Sequence, residues 1–159
     1  MCGAANPMKN IFLIRTFWIL LALFTLVGCT DESQFTRHVF PYASEVQQLK
    51  YSKASCMHCP MYFSFTAPDS VTAKIIERHK LRLVETAPDQ MIQVVSLLRE
   101  KWWADQNTLQ SAKKYWIEYR DETGSASYER PFRLALIKGN TVYFATSGFF
   151  REGYKPWNQ

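Results

Sequence analysis

The sequence predicts an α+β fold, with helices packed on one face of a mostly antiparallel sheet in a single small domain. Three observations predict it. Short runs such as Met61-Tyr62-Phe63-Ser64-Phe65-Thr66 alternate with the period of a strand. Two amphipathic runs of helical spacing each follow a Pro-Asp pair, at Pro68-Asp69 and Pro88-Asp89. The last third of the chain then strings strand patterns together with no helix between them. The chain has 159 residues, 47% of them apolar and 21% charged. That length excludes two large domains, and the composition excludes collagen-like or broadly disordered chains.

The elements follow in order. Residues 30 to 50 are polar and mixed, Thr30 to Arg37 especially, and read as a tether with some short local structure. The first strand covers Met61 to Thr66. Pro68-Asp69-Ser70 starts a helix, with Asp69 as the expected N-cap and Val71, Ile75, Ile76 and His79 spaced for an inward face. Leu81 to Glu85 is strand-like, with Leu81, Leu83 and Glu85 sharing a face. Thr66-Ala67-Pro68-Asp69 recurs as Thr86-Ala87-Pro88-Asp89, and the second copy opens a helix through Met91, Val94, Val95, Leu98 and Trp102. Asn107 to Lys113 is a short irregular or helical link. Tyr115 to Arg120, Phe132 to Ile137 and Thr141 to Ser147 are strands. Gly139-Asn140 joins the last two as a tight hairpin, and Asp121 to Glu129 forms a loop.

The first 28 residues form a leader: Lys9 and Arg15, then an apolar run from Thr16 to Val27, with no acidic residue before Asp31. That run is shorter than the roughly 20 residues of a spanning helix and has the layout of a secretory signal. Met8 heads a more ordinary signal than Met1. The leader ends in Leu26-Val27-Gly28-Cys29, which resembles the lipobox of bacterial lipoproteins. The resemblance implies cleavage after Gly28, a thioether-linked diacylglycerol on Cys29 and acylation of the new amino terminus. Two or three acyl chains would anchor stably where a single chain would not. Thr30, in the place where retained enterobacterial lipoproteins carry Asp, implies the outer membrane, facing the periplasm. More loosely, residues 61 to 147 resemble small uncharacterised bacterial lipoproteins, through an aromatic strand, a Pro-capped helix, a Trp-Trp turn and a terminal hairpin. The expected division is thus a signal peptide over 1–28, a lipidated Cys and tether over 29–50, the α+β domain over 51–150 and a tail over 151–159.

Cys56 and Cys59, in Ser55-Cys56-Met57-His58-Cys59-Pro60, are then the thiols left to the mature chain. In an oxidising compartment such a pair is expected to form a disulfide that stiffens entry to the next strand. Two other readings stay open: a redox-active pair, and a soft copper or zinc site using Cys56, His58 and Cys59 with Met57 or Met61. A strand pattern follows the pair, where a thioredoxin-like site would have a helix. No second ligand cluster completes a four-ligand metal site.

Aromatic residues are abundant, with 11 Phe, 8 Tyr and 5 Trp, and only Phe12, Phe17, Trp18 and Phe24 fall in the leader. The consecutive pairs Trp102-Trp103 and Phe149-Phe150 cannot both point inward. Together with Trp116 they form the candidate partner surface. Losing Lys9 and Arg15 with the leader lowers the formal net charge of +5 by two, a mild excess suited to an acidic partner. The basic stretch Lys74, Arg78, His79, Lys80 and Arg82 reads first as a solvated helix face and second as a binding patch. No serine-hydrolase elbow, zinc-protease helix or paired carboxylate stands out, and neither a cofactor nor nucleic acid is called for. The expected function is a non-catalytic, membrane-anchored periplasmic lipoprotein that binds a protein partner in the envelope, one form being an immunity or exclusion protein. The alternatives are a thiol-redox or metal-handling lipoprotein centred on the Cys56-Cys59 loop and an aromatic groove for lipid or glycan.

Overall fold

The computed structural model describes residues 30–53, 60–120, 131–147 and 155–156. In chain order the elements are helix α1 (Asp31–His38), a 3-10 turn (Ala43–Glu45), β1 (Gln47–Lys53), β2 (Met61–Thr66), α2 (Asp69–Arg78) and β3 (Arg82–Val84). Then come α3 (Asp89–Leu97), α4 (Gln106–Ser111), β4 (Lys113–Arg120), β5 (Phe132–Lys138), β6 (Thr141–Thr146) and the short β7 (Lys155–Pro156). The sheet order is β1-β2-β6-β5-β4-β3, and every pairing along it is antiparallel. The fold is α+β, a single small domain on an antiparallel sheet.

The helices cover both faces of that sheet, which corrects the expectation of one covered face. Side chains alternate across a strand. Phe63, Phe65, Ile117, Tyr119, Ala135, Val142 and Phe144 therefore form one core with Phe35 of α1 and with Val71 and Ile75 of α2. Tyr62, Trp116, Leu134, Leu136 and Ala145 form the other, with Met91, Val94 and Val95 of α3 and Leu109 of α4. The sign of this lies in β2, which is buried at five consecutive positions, as strands covered on both sides are.

The tether reading is corrected, because residues from Thr30 to Lys50 carry a helix, a turn and part of β1 packed on the core. Ser33 N–H donates to Thr30 Oγ1 at 3.3 Å, which caps α1. Phe35 is fully buried, its ring edge-on to Phe65 at 4.9 Å, and Val39 and Phe40 follow it into the core. β1 then pairs with β2, with a register shift between Gln47 and Lys50 where Gln48 takes a φ of 54°. Lys155 and Pro156, assigned to the tail, pair with Arg120 and Tyr119 of β4.

The repeated Pro-Asp pairs open α2 and α3 as expected, shifted by one position. Pro68 and Pro88 are the N-caps, in extended conformation, and Asp69 and Asp89 are the first helical residues, where a carboxylate favours the positive end of the helix. α2 ends in a Schellman motif: Lys80 N–H donates to the Glu77 carbonyl and Leu81 N–H to that of Ile76, both at 3.0 Å. Lys80 sits at a φ of 53° there, a conformation that usually falls to glycine. The Gly139-Asn140 hairpin joins β5 to β6 in register, Lys138 facing Thr141.

Candidate functional site

Of the proposed partner surface, Trp103 and Trp116 are buried, at 5% and 8% exposure, which corrects their assignment. Trp103 follows the end of α3 and turns back beneath it. Its Nε1–H donates to the Val95 carbonyl at 3.2 Å, and its ring meets Tyr62 edge-on at 4.9 Å. Trp116 stacks on Phe132 at 5.2 Å. Trp102 is half-buried, edge-on to Trp103. Burying the indole body while its N–H finds a carbonyl satisfies both halves of Trp103. Cys29, Cys56, Cys59, Phe149 and Phe150 lie outside the described residues. The two cysteines fall between Lys53 and Met61, which face each other across the β1–β2 pair. Among the described residues no group of three His, Cys, Asp or Glu could hold a metal ion.

The structure instead gathers charge at one end of the α1–α2 face. A cavity of about 290 Å³ is lined by Arg37, His38, Arg78, His79, Arg133 and Thr146. Arg37 and His38 come from the last turn of α1, Arg78 and His79 from the end of α2, and Arg133 and Thr146 from facing positions on β5 and β6. His79 and Thr146 are buried, whereas Arg37 and Arg78 are exposed at the rim.

Hydrogen bonds fix this end of the molecule. His79 Nε2 donates to the Val39 carbonyl at 2.6 Å. Arg133 donates through an Nη to the Tyr119 hydroxyl at 2.9 Å, and that hydroxyl donates to the His79 carbonyl at 3.4 Å. The chain of contacts joins β5, β4 and the ends of both helices. The Arg133 guanidinium also lies 5.3 Å from the centre of the Tyr119 ring. Because a carbonyl can only accept, His79 carries its proton on Nε2. Its Nδ1 is then a bare acceptor, buried and without a hydrogen-bond partner.

The electrostatics are those of a cation cluster. Burial, followed by the charge of Arg133, pushes His79 down to about 4. Burial first, then Arg37, Arg133 and Lys53, lowers His38. Both imidazoles are thus held toward the neutral form near pH 7, while burial also works against the charge of Arg133. The C-terminal ends of α1 and α2 oppose the cluster with about half a negative charge each. Three guanidiniums outweigh that, and none of the described lining residues is acidic. Such a cavity attracts an anion and offers it donors from three separate elements.

Sequence reasoning placed Arg78 and His79 in a basic stretch and left Arg37, His38 and Arg133 aside. One signal was available: Arg-His occurs at both Arg37-His38 and Arg78-His79, each at the close of a helix. Lys74 of the same stretch turns away to Glu45, at 3.8 Å. The chain matches no family model, no curated protein and no solved structure, so the chemistry of this cavity is read from its own residues.

Proposed function

We propose that the protein is a lipid-anchored envelope protein, held by Cys29 at the outer membrane on its periplasmic side, which works without catalysis by binding a protein partner there. An immunity or exclusion protein is one form of this function. The observation that carries the reading is how closely the candidate anchor adjoins the fold. Cys29 directly precedes Thr30, whose side chain caps α1, and α1 is held to the core by Phe35. A domain with so little slack presents a fixed face to whatever reaches the membrane beside it, which suits recognition at the surface better than capture at a distance. Among the described residues, Ile92 and Leu97 on α3, with Tyr42 and Leu83 elsewhere, are the large apolar side chains exposed to a partner.

The test uses cells that express the full chain. Wild type should incorporate a palmitate analogue and fractionate with the outer membrane, and Cys29→Ala should do neither. Affinity capture from solubilised envelopes should return the same protein repeatedly. Label on the Cys29→Ala chain, or captures with no protein in common, would overturn the reading.

A further inference from the structure

We infer that His79 is an acid-sensitive latch: a proton taken up by its imidazole releases α1 from the end of α2 while the sheet stays folded. The inference is independent of the lipid anchor and of any protein partner, since every residue it uses lies among the described residues of the domain.

The ring is built into a place that suits its neutral form alone. His79 is 5% exposed and sits between the Val39 carbonyl that closes α1 and the Phe144 ring of β6, 5.0 Å away. Nε2 holds the proton of the neutral ring and donates it to Val39 at 2.6 Å. Nδ1 is buried from water and has no hydrogen-bond partner. A proton added there creates a buried cation whose new N–H meets neither an acceptor nor solvent. The charged and titratable groups facing the ring do not offset this. Arg37 and His38 come from α1, Arg78 from its own helix, and Arg133 and the Tyr119 hydroxyl from the sheet, and none of these is acidic. The Val39 carbonyl favours a charged ring, but burial outweighs it and pushes the imidazole down to about 4.

The penalty is relieved once the ring reaches water, and α1 is the side that can give way. Behind His79 the Schellman turn holds Lys80 and Leu81, and Phe144 belongs to β6, an interior strand between β2 and β5. α1 packs on the core through Phe35, and Val39 and Phe40 follow it. The chain after them is interrupted twice, by the 3-10 turn at Ala43–Glu45 and by the register shift in β1 at Gln48. Those breaks are hinges at which residues 30 to 46 lift off without unzipping β1 from β2. The Lys74–Glu45 ion pair, 3.8 Å long and exposed, adds little to hold the segment down.

Amide hydrogen exchange on the full-length protein in detergent, corrected for intrinsic rates, tests this. The probes are the amides of Val39 and Phe40, bonded to the Phe35 carbonyl at 2.8 and 3.1 Å, against those of Leu134 and Leu136 in β5. All chains carry His38→Gln, because the half-buried His38 of α1 would add a slope of its own. Protection at Val39 and Phe40 should fall roughly thirtyfold between about pH 7.5 and pH 5, with little dependence on dilute urea. The β5 amides should stay better protected and open more readily as urea is added. His79→Gln keeps a donor near the position of Nε2 but takes no proton, and should abolish the pH dependence at α1. His79→Phe, which also cannot titrate, should lower α1 protection at every pH without a slope. Three results would overturn the inference. They are α1 protection that ignores pH while His79 is present, a slope that survives both substitutions, or α1 amides that match β5 in protection and urea dependence, as global unfolding requires.

Discussion

The capping residue at the end of α2, His79, donates a 2.6 Å hydrogen bond to the carbonyl of Val39, the capping residue at the end of α1, forty positions earlier. The bond ties the N-terminal helix to the rest of the domain and fixes the tautomer of a buried imidazole. His79→Phe keeps a ring against Phe144, 5.0 Å away in the native structure, and removes the bond. It should cost roughly 1–3 kcal/mol in urea unfolding, because the Val39 carbonyl loses its donor.

Stability should fall in mild acid. The folded-state value for His79 lies near 4, below the ordinary 6.5, so between those values the unfolded chain binds a proton that the folded chain refuses. The stabilisation is complete above about pH 6.5 and is lost as the pH falls toward 4, on the order of 3 kcal/mol for this residue. Arg133 and Arg78 oppose protonation and the Val39 carbonyl favours it, while the depressed value of His38 acts in the same direction as that of His79. Unfolding midpoints measured from pH 7.5 to 4.5 should drop less steeply in His79→Phe than in wild type. Equal slopes would refute the assignment.

Phe35→Ala should cost about 3–5 kcal/mol, the range for truncating a buried aromatic. Asp31→Asn, at the exposed start of the same helix, should cost less than about 1 kcal/mol. Equal small effects would return residues 30 to 50 to the role of a tether.

The Trp pair gives a similar contrast. Trp103→Ala removes a buried ring and the donor to the Val95 carbonyl, and should destabilise by about 3–5 kcal/mol. Trp102→Ala should cost clearly less. Thermal unfolding of the two variants side by side measures the difference.

Lys80→Gly should stabilise the protein by up to about 1 kcal/mol, since Lys80 holds a left-handed conformation at the end of α2 that glycine adopts without a steric penalty. A loss of stability would mean that the lysine side chain contributes more than its backbone costs.

β2, β4, β5, β6, α2 and α3 were legible in the sequence because each repeats apolar residues at its own period over six or more positions. α1 was not: only Phe35 among its eight residues is buried, and the charged positions around it hide a single anchoring contact. The covering of both faces was missed because Tyr62 and Ser64 were read as the polar side of β2, although both are buried. Trp103 was read outward because adjacency to Trp102 was taken to force one ring into solvent. A turn after α3 frees Trp103 from that alternation. The cavity draws on three distant segments, and no local pattern encodes the approach of two helix ends. Only the doubled Arg-His pair hinted at it.

Among the described residues the sheet ends in two strands, β1 and β3, and their form bears on how the molecules behave in a crowd. An open edge invites a second copy to continue the hydrogen-bond ladder. β1 breaks its own ladder at Gln48 and carries Lys50 and Lys53 along its length, and β3 is three residues long. Neither offers a flat run of backbone onto which another sheet could zip. Neighbouring molecules packed closely on a surface would therefore collide as separate bodies, and a high local density would not start a fibre.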